Sequence, residues 1–135
     1  MNTSEILVIP VTPTSKPRMT QSDKWKGRVC VTRYWEFKDR IRKYLTEIPQ
    51  PCLMVFIYPM PKSWSKKKKK LMEGEKHEST PDLDNFEKAL LDSLYQNDSH
   101  IWNVHKIKIW GLNGKILIEP MEIDQILMNR IKTYL

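Results

Sequence analysis

The sequence predicts a single α+β domain over residues 1–135, with a small mixed or mainly antiparallel sheet and helices packed against it. Three observations carry that expectation. Short apolar runs bounded by proline or glycine occur among stretches whose apolar residues recur at helical spacing. A chain of 135 residues can bury one real core, and 40% hydrophobic with 10% aromatic content describes a globular protein. No internal repeat and no second domain boundary interrupts it.

In order, Ile6-Leu7-Val8-Ile9 reads as a first strand closed by Pro10. Residues 11–28, with Pro13 and Pro17 among Ser, Thr, Lys and Arg, read as an irregular loop. Tyr34, Phe37, Ile41, Tyr44, Leu45 and Ile48 form a helical stripe that stops at Pro49. Leu53 to Tyr58 is continuously apolar between Pro51 and Pro59, the pattern of a buried central strand. Ser65 is placed to cap a short lysine-rich helix ending at Gly74. Ile107–Trp110 and Lys115–Glu119 flank Gly111-Leu112-Asn113-Gly114, which predicts a β-hairpin. After Pro120, Ile123, Ile126, Leu127, Ile131 and Leu135 mark a last amphipathic helix, suited to cover the sheet or to join a second copy.

Charge narrows the function. The net charge is +7 and the pI about 9.4, which favours a polyanionic partner. Residues 16–43 carry ten Lys/Arg against three acids, whereas most of the remaining acids lie from Glu73 onward. Lys16-Pro17-Arg18 and Lys24-Trp25-Lys26 set cations beside an aromatic, as a surface tracking a nucleic-acid backbone would. Lys62 and the run Lys66, Lys67, Lys68, Lys69 and Lys70 cannot be a core helix, since lysines cover every side. They read as a solvated tract or as an arm against phosphates, and the short connection to Asp82 favours the arm. Off the apolar stripe of the Tyr34–Ile48 helix, Lys38, Arg42 and Lys43 fit a solvated face as well as a DNA contact.

Cys30 and Cys52 have no CxxC spacing and read as reduced, small core residues. His77 reads as an exposed polar residue. Met1–Glu5 lacks a basic leader segment and no apolar run approaches a membrane span, so the expectation is a cytoplasmic protein with no membrane contact. The absence of GxxxxGK[ST], HExxH and a Cys/His cluster sets aside a P-loop hydrolase and a zinc enzyme.

The chemistry concentrates in residues 81–98. Asp82 and Asp84 point the same way if the backbone between them is extended. Asp84 with Glu87 reads as a capping box, opening a helix whose apolar face is Phe86, Ala89, Leu90, Ser93 and Leu94. Lys88 and Asp92 fall on the other side, with Asp84. Asp98 follows downstream. Magnesium takes carboxylate oxygens and water, with substrate phosphate completing the shell, and Asp82, Asp84 and Asp98 could supply the carboxylates. Lys88 could neutralise a scissile phosphate. The D-x-D spacing by itself is equally that of a well-capped helix.

Beyond this, the chain from Lys16-Pro17-Arg18 through Gly111 resembles the RusA family of Holliday junction resolvases, endodeoxyribonucleases of phages and prophages. The resemblance is carried by Met60-Pro61-Lys62-Ser63-Trp64-Ser65-Lys66-Lys67-Lys68 and by Pro81-Asp82-Leu83-Asp84-Asn85-Phe86-Glu87-Lys88. The second stretch is similar to the family's Pro-Asp-x-Asp-Asn-x-x-Lys motif. It implies that Asp82 and Asp84 are catalytic metal ligands and that Lys88 is the catalytic lysine. The family's Asp-Asp-x-Gln appears here as Asn97-Asp98-Ser99-His100, which makes Asp98 the third acidic ligand and leaves Asn97 its amide oxygen for coordination. The resemblance also implies a RusA-like fold, Mg²⁺ (with Mn²⁺ as substitute), and a homodimer on a four-way DNA junction. Paired symmetric nicks would then serve recombination and repair. The DNA-contacting residues expected are Lys16, Arg18, Lys24, Lys62, Lys66, Lys67, Lys68 and Lys69. A less selective branched-DNA nuclease and a non-catalytic junction-binding protein are the competing expectations.

Overall fold

A computed structural model describes residues 5–17 and 29–135. Arg18, Lys24, Trp25 and Lys26 lie outside the described residues. Among those described, four strands and four helices follow one another. They are β1 (Leu7–Ile9), α1 (Val29–Ile41), β2 (Cys52–Pro59), α2 (Lys66–Met72), α3 (Leu83–Leu94), β3 (Val104–Gly111), β4 (Lys115–Pro120) and α4 (Gln125–Lys132). The architecture is α+β around one core, as expected.

The sheet is mixed, in the order β1-β4-β2-β3. β4 pairs antiparallel with both β1 and β2, while β3 runs parallel to β2. The expected hairpin is therefore absent: β3 and β4 flank β2 rather than each other. The apolar run of β2 explains this, because a strand apolar on both faces is most stable in the interior with both edges paired. Residues 111–114 consequently straddle the end of β2. Their glycines serve close approach rather than positive φ. A Cβ on Gly111 would overlap the Ile57 side chain, and one on Gly114 would sit 2.8 Å from the Thr12 Cα.

One face of the sheet carries the helices. Cys52, Met54 and Phe56 of β2, Ile116 and Ile118 of β4, and Ile9 of β1 point into a core completed by α1 and α3. Alternation sends Leu53, Val55 and Ile57 to the other face, which no described helix covers. α1 starts earlier than its stripe and stops at Ile41; Tyr34, Phe37 and Ile41 are buried, but Tyr44 is exposed. Ile48 reaches the core from the following turns, its N–H donating to the Tyr95 hydroxyl at 2.7 Å. α1 and α3 are tied by the Arg42 Nε donation to the Ser93 carbonyl (2.8 Å) and by the Tyr34 hydroxyl to Asp92 (3.2 Å). Burial and Asp92 push the Tyr34 hydroxyl far above its usual titration range.

Of the two cysteines, Cys52 is buried as expected, whereas Cys30 is exposed in the first turn of α1. Burial, with Glu87 nearby, pushes the Cys52 thiol up to about 11. No described helix is long and apolar enough to cross a membrane.

Phe56 is fully buried and packs on Phe86 with ring centres 5.6 Å apart. Phe56→Ala should lower the free energy of unfolding by about 3–5 kcal/mol, read from the midpoint of a urea titration.

Candidate metal and nucleic-acid site

α3 begins earlier than its sequence pattern indicates. Asp82, not Asp84, occupies the N-cap position, with extended backbone (φ −71°, ψ 150°). Its carbonyl accepts from the Asn85 and Phe86 N–H groups at 3.2 and 3.3 Å. The Asp82 carboxylate makes no capping bond, so the expected capping box does not form. Glu87, assigned to that box by spacing, instead accepts from Lys106 Nζ at 3.0 Å. Asp84 sits in the first helical turn, where a negative charge is favoured by the helix dipole. Asp82, Asp84 and Lys88 are exposed and make no ion pair or side-chain hydrogen bond with other described residues. Two free carboxylates and a free ammonium one turn further thus share the start of α3.

The segment before them is held by groups that sequence reading did not single out. Lys106 and Lys108 of β3 lie in register with Met54 and Phe56, on the sheet face that the helices cover. The Lys108 ammonium donates to the carbonyls of Ser79 (2.5 Å) and Pro81 (2.7 Å). The period-2 pattern Lys106-Ile107-Lys108-Ile109 carried the signal: an inward lysine on a buried strand face needs an acceptor. Residues 74–77 extend along the outer edge of β3, through Gly74 N–H to Trp110 O, Trp110 N–H to Glu75 O and His77 N–H to Lys108 O.

His77 is buried, contrary to its expected exposure, because that edge pairing turns it inward. Its ring stacks on Trp110 with centres 3.9 Å apart and meets Tyr58 edge-on at 5.4 Å. Nδ1 accepts from the Ser79 N–H at 3.3 Å, which leaves the proton on Nε2, a buried atom with no partner. Burial, and then the Lys108 charge, lower the pKa of this histidine. Tyr58 stacks in turn on Phe86 of α3, so an aromatic chain runs from Trp110 to the helix bearing the aspartates.

The lysine arm forms as expected. Ser65 Oγ accepts from the Lys68 N–H at 3.1 Å, Gly74 takes φ +81° just beyond the helix, and no residue of α2 is buried. Trp64 anchors the arm, with its ring 4.9 Å from that of Trp110 and Lys68 Nζ 4.1 Å above it. Lys62, Lys66, Lys67 and Lys68 are exposed and Lys69 partly so. Lys16 is already engaged, 3.0 Å from Asp92, which pins the first loop to α3. A cleft of about 530 Å³ opens between that loop and α1, lined by Tyr58, Pro81, Arg33 and Arg40 among others. It ends one residue before Asp82.

Asp98 is not brought to Asp82 and Asp84. α3 has 12 residues and so spans about 18 Å, with the aspartate pair at its N-terminus and Asp98 beyond its C-terminus. The loop holding Asp98 is fastened at the far end of β2: the Trp102 N–H donates to Gln50 Oε1 at 2.7 Å, and Tyr95 packs on His100. Asn97 Oδ1 accepts from the Ser99 N–H at 2.9 Å, closing a local turn with the oxygen expected to coordinate. Among the described residues no three acidic, histidine or cysteine side chains gather into a metal-holding group. Asp82 and Asp84 alone fit the smaller demand of magnesium, one or two carboxylates with water and phosphate filling the remaining positions.

Carboxylates at a helix N-terminus and a lysine, all without partners among the described residues, thus share one basic α+β domain with an exposed lysine-rich helix. Residues 9–120 match the family described as Endodeoxyribonuclease RusA. The chain belongs to this RusA endodeoxyribonuclease family, and membership implies the nuclease activity of a Holliday junction resolvase. No curated protein matches the chain.

Because the fold holds His77 neutral, protonation is easier in the unfolded chain. Stability should therefore be full above the ordinary value of 6.5 and fall as pH drops below it. Thermal unfolding at pH 7.5 and pH 5.5 should show a larger drop for the parent chain than for His77→Gln.

Proposed function

We propose that this protein is a divalent-metal-dependent endodeoxyribonuclease that resolves four-way DNA junctions as a homodimer. Its setting would be recombination and repair in the cytoplasm of a phage- or prophage-bearing cell. The observation that carries the reading is the pair of exposed carboxylates, Asp82 and Asp84, which find no partner among the described residues and follow directly on the Pro81 carbonyl that Lys108 holds. Mg²⁺, or Mn²⁺ in its place, would be held by Asp82 and Asp84 and supply Lewis-acid activation of water and stabilisation of the departing oxyanion.

The chain's own residues do the rest. Lys88, one helical turn past Asp84, meets a non-bridging phosphate oxygen and balances charge as water adds to phosphorus and the 3′ or 5′ P–O bond breaks. The N-terminal N–H groups of α3 point the same way and favour an anion there. Lys62, Lys66, Lys67, Lys68 and Lys69 track the backbone of an adjoining arm, with Lys16, Arg18 and Lys24 of the first loop contributing to the same basic surface. Two copies suit the two-fold symmetry of the junction and the two opposed strands to be nicked.

Asp82→Asn and Asp84→Asn should each retain junction binding and lower metal-dependent nicking by ~10²-fold or more, as loss of a charge-stabilising group does. Full residual cleavage would remove Asp82 and Asp84 from the mechanism. Replacing Lys66, Lys67, Lys68 and Lys69 together by Gln should flatten the dependence of log K on log salt by up to about 0.9 per lost phosphate contact, measured by fluorescence anisotropy on a labelled junction.

A second reading, a junction-binding protein without catalysis, is favoured by the remoteness of Asp98 and the engagement of Asn97 in its own turn. Junction binding with no cleavage at any Mg²⁺ or Mn²⁺ concentration would select it. Equal cleavage of flap, nicked and four-way substrates would select the less selective nuclease.

A further inference from the structure

Among the described residues, two apolar surfaces lack a partner. The first is the open face of the sheet. The registers Val8↔Leu117, Val55↔Leu117 and Val55↔Ile107 place Val8, Leu117, Val55 and Ile107 in one row across all four strands. On one side of that row Leu53 lies between Glu119 and His105, and on the other Ile57 lies between Lys115 and Ile109, so polar residues rim the apolar row. Val8 is 51% exposed and Ile107 46%. A sheet face that meets water ordinarily alternates to polar residues, and this row does not.

The second is α4. Asp124 Oδ1 caps it through the Leu127 N–H at 2.9 Å, yet none of its residues is buried, and Ile126 remains 83% exposed. Ile123, Ile126, Leu127 and Ile131 share one side of it. A helix of 8 residues standing alone is far below the ~12–15 residues at which isolated helices become even marginal in water. One cap contributes only about 1 kcal/mol. The helix needs a surface to pack on.

We propose that α4 packs on the open sheet face of a second copy of this chain, and that the exchange is reciprocal. The area argues for both surfaces acting together. Four strands about 4.8 Å apart and three side-chain rows offer roughly 400 Å² in projection, short of the ~800 Å² per partner of a standard stable interface. In a two-fold exchange each copy gives a sheet face and a helix, so every contact is made twice. The helix, about 12 Å long at 1.5 Å per residue, fits across the apolar row. It buries no residue of its own against its own sheet: β4 ends in the ladder, with Met121 N–H bonded to Pro51 O at 2.9 Å, and none of the α4 residues beyond is buried. The family match stops at residue 120, before α4, so membership supplies no role for this helix.

The inference specifies how the two copies proposed above join, and it stands or falls separately from catalysis. Sedimentation of the full chain should show a dimer. Ile107→Asp on the sheet and Ile131→Asp on α4 should each weaken association at least tenfold with the circular dichroism spectrum kept; Ile131→Asp cannot damage the monomer core, since nothing in α4 is buried. In a Cys30→Ser background, chains carrying Ile107→Cys mixed with chains carrying Ile126→Cys should oxidise to a disulfide of doubled mass that neither forms alone. A monomeric parent chain would overturn the proposal. So would an Ile107→Cys/Ile126→Cys chain that cross-links within itself, or Ile131→Asp dimers as tight as the parent, which would mean direct sheet-on-sheet packing. Asp84→Asn should dimerise normally, so failed cleavage with intact association would sink the nuclease reading alone.

Discussion

A single buried-side ammonium fixes the chemistry of this molecule in place. Lys108 reaches from the helix-covered face of β3 to the Ser79 and Pro81 carbonyls. Those oxygens belong to the segment that delivers the chain into α3. A charge taken partly out of water must be matched, and two carbonyl dipoles match it only in one position of that segment. The direction in which Asp82 and Asp84 leave the core follows. The same charge, with burial, keeps His77 neutral, and neutral His77 accepts the Ser79 N–H. Lysine and histidine therefore hold the same residue from its two polar sides.

The sheet topology is what makes Lys108 available. β2 takes the interior place because its residues are apolar on both faces, and β3 then lies parallel to it after the α3 crossover. In that arrangement the start of α3 and the end of β3 meet at the same end of the sheet, as the carboxyl ends of strands commonly frame sites in crossover folds. The Trp64–Trp110–His77 contacts set the lysine arm beside this end as well. Residues 62–69 and 82–88 are thus each anchored near the same end of β3 although they sit in different elements.

The opposite end of α3 shows how far a motif extends. Asn97-Asp98-Ser99-His100 keeps the spacing of a ligand-bearing stretch, but Gln50 and Tyr95 fasten it at the start of β2. Within one chain a 12-residue helix separates it from the aspartate pair. Two carboxylates, water and phosphate are sufficient for a magnesium ion, so the proposed site would rest on Asp82 and Asp84.

The sequence alone determined the fold class, the buried run of β2 and the capped lysine helix with Gly74, and it singles out Asp82, Asp84 and Lys88 as the candidates for the chemistry. Each is a local matter: periodicity, capping and side-chain type act over a few residues. The cap of α3 falls two residues before the position its spacing indicates, since Asp82 and Asp84 both suit an N-cap and the contacts of Lys108 with Pro81 and of Lys106 with Glu87 come from distant β3. Gly111–Gly114 looks like a hairpin turn in sequence and is a bridge over β2, since strand order depends on which edges other strands occupy. Nothing within a few residues of His77 buries it, so its sequence context indicates exposure; Tyr58 and Trp110, brought in from β2 and β3, bury it. Tertiary structure decided what distant residues decide: which charges find partners, which remain free, and which end of a helix becomes a site.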